Sequence, residues 1–141
     1  MTPLENDRVF VLPTDVDVYL QRRELVVDAA SRSGWSLDKL FRSLADELGR
    51  DGVAVAIGGR GTDGALGIKR VKGAGGLTLA VHPEDGPEGD QTRAAIATGF
   101  IDLVVPSSEV AGRLLDQGQE RAGAIAALDD DERENAGVVS D

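Results

Sequence analysis

Asp63 is the residue in this chain best placed to do chemistry. It sits inside Gly58-Gly59-Arg60-Gly61-Thr62-Asp63-Gly64, directly after the apolar run Val53-Ala54-Val55-Ala56-Ile57. Glycines let a backbone turn sharply off a strand and come close to another group. A strand that ends in such a turn and then opens a helix is where open α/β sheets place their chemistry. A carboxylate there has two ordinary uses. It can hold a histidine in the working tautomer, as in a Ser-His-Asp triad, while the free N–H groups of the turn face a developing oxyanion. It can equally cap the helix that follows, accepting from N–H groups near Leu66. The residue alone leaves both uses open.

Gly59-Arg60-Gly61-Thr62-Asp63-Gly64 also matches G-x-G-x-x-G, with Glu84 or Asp85 about twenty residues on, which is the pattern of an NAD-binding turn. Physics counts against that alternative. A pyrophosphate needs N–H groups and a helix N-terminus, and Asp63 puts a negative charge among them. Glu84 and Asp85 lie in the Pro/Gly-rich loop from Pro83 to Gly89 rather than at a clean strand end.

The elements that must position the turn follow from periodicity. Arg8 to Pro13 reads as a short strand. Val16–Leu20 and Glu24–Asp28 read as a hairpin closed by Gln21-Arg22-Arg23. Ser36 is a candidate N-cap for a helix carrying Leu37, Leu40, Phe41, Leu44 and Leu48, stopped by Gly49. Strand 53–57 precedes the turn, and a helix from Ala65 to Gly73 follows it. Strand 77–81, a polar loop from His82 to Gln91, a helix from Arg93 to Thr98 and strand 101–105 come next. A last helix starts at Pro106-Ser107-Ser108, with either serine as its cap. The alternation predicts an α/β fold: a partial doubly wound, Rossmann-like, mostly parallel sheet flanked by helices, with an N-terminal β-hairpin.

Composition narrows the function classes. The chain has 141 residues, which fits one domain over 1–127 and an acidic, disordered tail over 128–141 that contains Asp129-Asp130-Asp131-Glu132. The net charge of −10 argues against nucleic acid and against an anionic membrane surface. There is no cysteine, hence no disulfide and no thiolate metal site, and no metal is expected. Neither a signal peptide nor a spanning segment is visible, so a cytoplasmic location is expected.

Ordered motifs then make a resemblance. Gly58 to Ala65 resembles S-G-x-G-x-D-G-A of the chemotaxis protein-glutamate methylesterase (CheB-type) domain. Gly67 to Pro83 resembles its G-L-x-x-I-x-x-A-G-G-x-T-x-A-Q-D-P. Gln91 to Gly99 resembles M-P-x-A-A-I-x-x-G, followed here by Asp102-Leu103-Val104-Val105-Pro106. Upstream, Arg8–Pro13 resembles V-Y-x-A-P and Ser36–Phe41 resembles S-x-D-x-L-F. The match runs in order from about Val9 to Leu115.

The resemblance implies a catalytic role for Asp63 as the triad Asp and a backbone N–H of Arg60 on the oxyanion side. Gly58, Gly59, Gly61 and Gly64 would shape the turn. It implies hydrolysis of glutamate γ-methyl esters on chemoreceptor helices, in chemosensory signalling, with no cofactor. The matched segments are the later part of that domain. Its nucleophilic Ser (A-S-x-G-G) and its His (Q-H-x) have no counterpart here. Ser33-Gly34 is the nearest imitation of the first, and the single histidine, His82, stands where the family has Asp before Pro. Gly58 replaces Ser, Gln91-Thr92 replaces M-P, and Arg60 stands where an apolar residue is common. These departures suggest relaxed selection on catalysis. The expectation is a module that is non-catalytic alone and acts by binding a protein partner or by homo-oligomerisation. The alternative is one part of a methylesterase completed by a separate Ser/His-bearing half.

Overall fold

A computed structural model describes residues 1–12, 16–28, 36–59, 61–85 and 88–118. Arg60, Ser33-Gly34 and the acidic tail, each singled out in the sequence, lie outside the described residues.

Two small sheets organise the chain. In the first, β1 (Thr2–Pro3), β3 (Glu24–Asp28) and β2 (Asp17–Gln21) pair antiparallel in the order β1-β3-β2, with Val18 opposite Val27 and Leu20 opposite Leu25. The hairpin closes through Arg22 and Arg23 alone, both at positive φ (52° and 60°). That is the twist a two-residue hairpin demands, here met without glycine. The strand expected over Arg8–Pro13 is not formed: residues 8–12 carry no strand, and Val11 is 92% exposed. An apolar run needs a free ladder to pair with, and Thr2–Pro3 takes the open edge of β3, helped by the Leu4 N–H donating to the Arg23 carbonyl.

The second sheet is parallel, in the order β4 (Val53–Ala56), β5 (Leu77–Val81), β6 (Leu103–Val105). Val53 pairs with Leu77, Ala56 with Ala80, and Val81 with Val105. β5, in the centre, is buried at all five positions. Strand alternation sorts its neighbours onto two faces. Ala54, Ala56 and Ala80 face a core built with Ile68 and Val71 of α2 (Ala65–Gly73), Ala95 of α3 (Asp90–Ala97), and Phe41 and Ala45 of α1 (Ser36–Leu48). Leu77, Leu79 and Val105 face a second core with Val53, Val55, Leu103, Val110 and Leu114. The last two belong to a final helix, α4, described over residues 110–118. Helices therefore cover both faces of the sheet.

Boundaries shift where polar bonds intervene. α3 starts at Asp90 rather than Arg93. β6 starts at Leu103 because Asp102 is taken up in bonds to Thr78: its N–H donates to the Thr78 carbonyl, and its carboxylate accepts from the Thr78 N–H. Neither Ser107 nor Ser108 caps the last helix. A 3₁₀ turn over Ser107–Glu109 precedes it, and the Ser107 N–H donates to the Asp85 carboxylate (2.8 Å).

Candidate functional site

The glycine turn lies at the C-terminal end of β4, as its sequence predicts, and two long-range clamps hold it. The first is at its start. The Gly58 N–H donates to the hydroxyl of Thr92 (2.9 Å), and Thr92 is fully buried in the first turn of α3. The Gly59 N–H donates to the Glu88 carbonyl (2.9 Å), and the Gly59 carbonyl accepts from the Gln91 N–H (3.0 Å). Gly58 has φ 63°, and a Cβ added there would lie 2.9 Å from the Glu88 carbonyl oxygen. Gly58 and Thr92 thus act as a matched pair: one supplies the conformation, the other accepts its amide hydrogen. Sequence reading took both only as departures.

The second clamp is Asp63. Its carboxylate does not cap the following helix, α2, as the local reading expected. Oδ2 accepts from the Leu37 N–H and Oδ1 from the Asp38 N–H, both at 2.9 Å. These are first-turn amides of α1, so Asp63 caps a helix 25 residues upstream and places its charge at the favourable end of that helix's dipole. The cap sought in Ser36 is therefore supplied from a distance. Asp38, buried, returns the bond: its Oδ1 accepts from the Gly67 N–H of α2 at 2.8 Å. Each helix start is satisfied by a carboxylate from the other's segment. The sequence signal was the Asp of S-x-D-x-L-F, but only contact between helices assigns it this job.

Two glycines allow that contact. Gly64, at φ 100°, opens α2, and a Cβ there would lie 2.8 Å from Leu37 Cδ2; at Gly67 it would meet Phe41 Cβ at 2.5 Å. Gly61, also at positive φ (76°), is exposed and has open space where a side chain would project.

The arrangement decides what chemistry the turn supports. The Gly58 and Gly59 amides are spent inside the protein, so they offer nothing to a pyrophosphate or an oxyanion. Asp85 is spent likewise, on Ser107. The NAD-binding alternative loses two amides of its cradle and one of its two acidic candidates. His82 is exposed just past β5, and its N–H donates to the Val105 carbonyl (2.9 Å), on the β6 side of the sheet. No hydrogen bond or ion pair joins its imidazole to Asp63. Among the described residues no group of three His, Cys, Asp or Glu is placed to hold a metal ion, and no helix is long and apolar enough to cross a membrane.

Comparison with known proteins agrees with this turn and its surroundings. The family model described as CheB methylesterase matches residues 1–114. A protein-glutamate methylesterase/protein-glutamine glutaminase of Anaeromyxobacter dehalogenans is 43% identical over 81 residues, covering 57% of this chain and 23% of the relative. One from Bdellovibrio bacteriovorus is 38% identical over 87 residues, covering 62% and 25%. An uncharacterized 104.1 kDa protein of Rhodobacter capsulatus is 40% identical over 101 residues, covering 70% and 11%. The chain thus spans a quarter or less of the length of these relatives. The crystal structure of the Thermotoga maritima CheB methylesterase catalytic domain superposes with a TM-score of 0.66 at 23% identity, over 74% of this chain and 59% of that one, so the fold is shared. With its turn, helices and parallel sheet in that arrangement, the chain belongs to the CheB methylesterase family.

Proposed function

We propose that this chain is a methylesterase-like module of chemosensory signal transduction that does not turn over esters alone and works by binding. The observation that carries the proposal is the engagement of Asp63. Both oxygens of the family's triad carboxylate accept amides of α1, and the one histidine of the sequence makes no bond to it. Ester hydrolysis of this type needs a nucleophile and a general base, each contributing orders of magnitude in rate. A carboxylate with no histidine to orient contributes neither. Asp63 is then a structural clamp, and an oxyanion-side role for Arg60 rests on the family resemblance alone.

The partner is a protein. Two of the relatives named above are protein-glutamate methylesterase/protein-glutamine glutaminases, which supports a signalling protein as partner here. Self-association is the second binding mode, through the outer edge of β4. The test is an ester assay on the purified chain, with a methylated receptor fragment and a p-nitrophenyl ester. We expect no turnover above buffer. Turnover that Asp63→Ala abolishes in folded protein would overturn the proposal.

A further inference from the structure

The outer face where α1 meets α2 carries a feature the glycine turn does not use. Arg42 of α1 and Leu66, Lys69 and Arg70 of α2 line a shallow groove of about 380 Å³. Leu66 is 62% exposed although it is a large apolar side chain, and it lies three residues after Asp63. Three cations around one exposed leucine stand out in a chain of net charge −10.

Their present partners hold them lightly. Arg70 pairs with Asp46 at 3.0 Å, but both side chains are more than half exposed, so the pair is worth little and exchanges readily. Lys69 lies over the Phe100 ring, 5.5 Å from its centroid. Arg42 has no anionic partner among the described residues.

We propose that this groove docks an acidic amphipathic helix of a partner protein, its apolar side on Leu66 and its carboxylates on Arg42, Lys69 and Arg70. Charge complementarity selects the occupant. Two packed helices leave a concave seam, the shape that takes a third helix with an apolar anchor and a charged rim. A lipid surface fits less well: one leucine in a concavity gives no wedge to insert. The inference rests on the binding-module reading, but it fails separately, since its readout is affinity and not turnover.

The probe is a fluorescein-labelled synthetic helix of about 18 residues, roughly 27 Å long, with Glu along one face and Leu along the other. Anisotropy on the full chain should show saturable binding that weakens about tenfold or more with Arg42→Glu plus Lys69→Glu, and less with both changed to Gln. Circular dichroism should be unchanged, since both side chains are exposed. A peptide with Gln for every Glu should bind markedly more weakly.

Several outcomes overturn the inference: no saturable binding, equal affinity for the Gln peptide, or no loss in the reversed variants. So does binding to phosphatidylglycerol vesicles in preference to the peptide. If neutralising Asp129, Asp130 and Asp131 to Asn raises peptide affinity about tenfold, the occupant is the chain's own acidic segment and the inference fails.

Discussion

Asp63 has two oxygens, and each accepts one amide of α1. Removing such a cap leaves helix N–H groups without a partner, which costs about 0.5–2 kcal/mol. Asp63→Ala should therefore lower the urea midpoint by an amount worth about 1–2 kcal/mol at unchanged slope, and Asp63→Asn, which keeps one acceptor oxygen, by about half of that. An Asp63→Ala variant as stable as the parent would show that the carboxylate is not a clamp. Asp102 gives a pH signature. Burial pushes its carboxyl up, but the hydrogen bond from Lys72, the bond from the Thr78 amide and the Lys72 charge outweigh that and hold it below its ordinary value of 3.8. A carboxyl depressed in the folded state stabilises at pH above its unfolded value, and this contribution disappears as pH falls through the folded one. The stability difference between the parent and Asp102→Asn should accordingly be flat at neutral pH and close as the pH is taken below 3.8. A difference that persists at lower pH would mean that the Thr78 network, not the ionised carboxylate, is what counts.

Among the elements, the hairpin is under the most visible strain. Arg22 and Arg23 both occupy left-handed backbone, where most residues with a Cβ lose about 1 kcal/mol relative to glycine, and asparagine less because its side chain bonds locally. Replacing the pair by Asn-Gly should raise stability by about 1 kcal/mol and the Tm by a few degrees in calorimetry. A lower Tm would indicate that the Arg23 side chain contributes packing that outweighs the strain. The same hairpin shows what sequence reveals. Its strands alternate and its turn is short, so both are legible locally, as are the five apolar residues of β5 and the helical spacing of α1. Arg8–Pro13 reads as a strand because Val9 to Leu12 is apolar, but a strand exists only with a neighbour, and no local pattern names that neighbour. The site divides the same way. Asp63 and the turn glycines could be found from type and spacing. The direction of the cap could not, because Leu37 and Asp38 lie 26 and 25 residues away and reach Asp63 only once Gly64 and Gly67 let α1 settle against α2. The Thr92 hydroxyl, 34 residues from Gly58, was hidden for the same reason.

At the scale of the whole molecule, the parallel sheet is covered on both faces, and among the described residues both its edges, at β4 and at β6, are unpaired. An unpaired edge presents a row of free N–H and C=O groups that can template pairing with another chain. Among the described residues no strand pairs with the outer edge of β4. Val53 and Val55 there are half-buried, and Ile57, just past the strand end, is 67% exposed. The matched solved domain is covered over only 59% of its length. In the purified chain, self-association through this edge would pair two copies about a two-fold axis, β4 against β4, which makes the new ladder antiparallel. The net charge of −10 opposes that association, and salt screens the repulsion without weakening apolar contact. Light scattering should hence show mass rising from monomer toward dimer as protein and salt concentration increase. Ile57→Lys should hold the chain at monomer mass with its urea midpoint shifted by no more than about 0.5 kcal/mol. The sign of the salt effect separates the two surfaces: an acidic helix on Arg42, Lys69 and Arg70 is released by salt, whereas the β4 contact is strengthened. A parent chain that stays monomeric at high salt would leave protein partners as the sole binding mode.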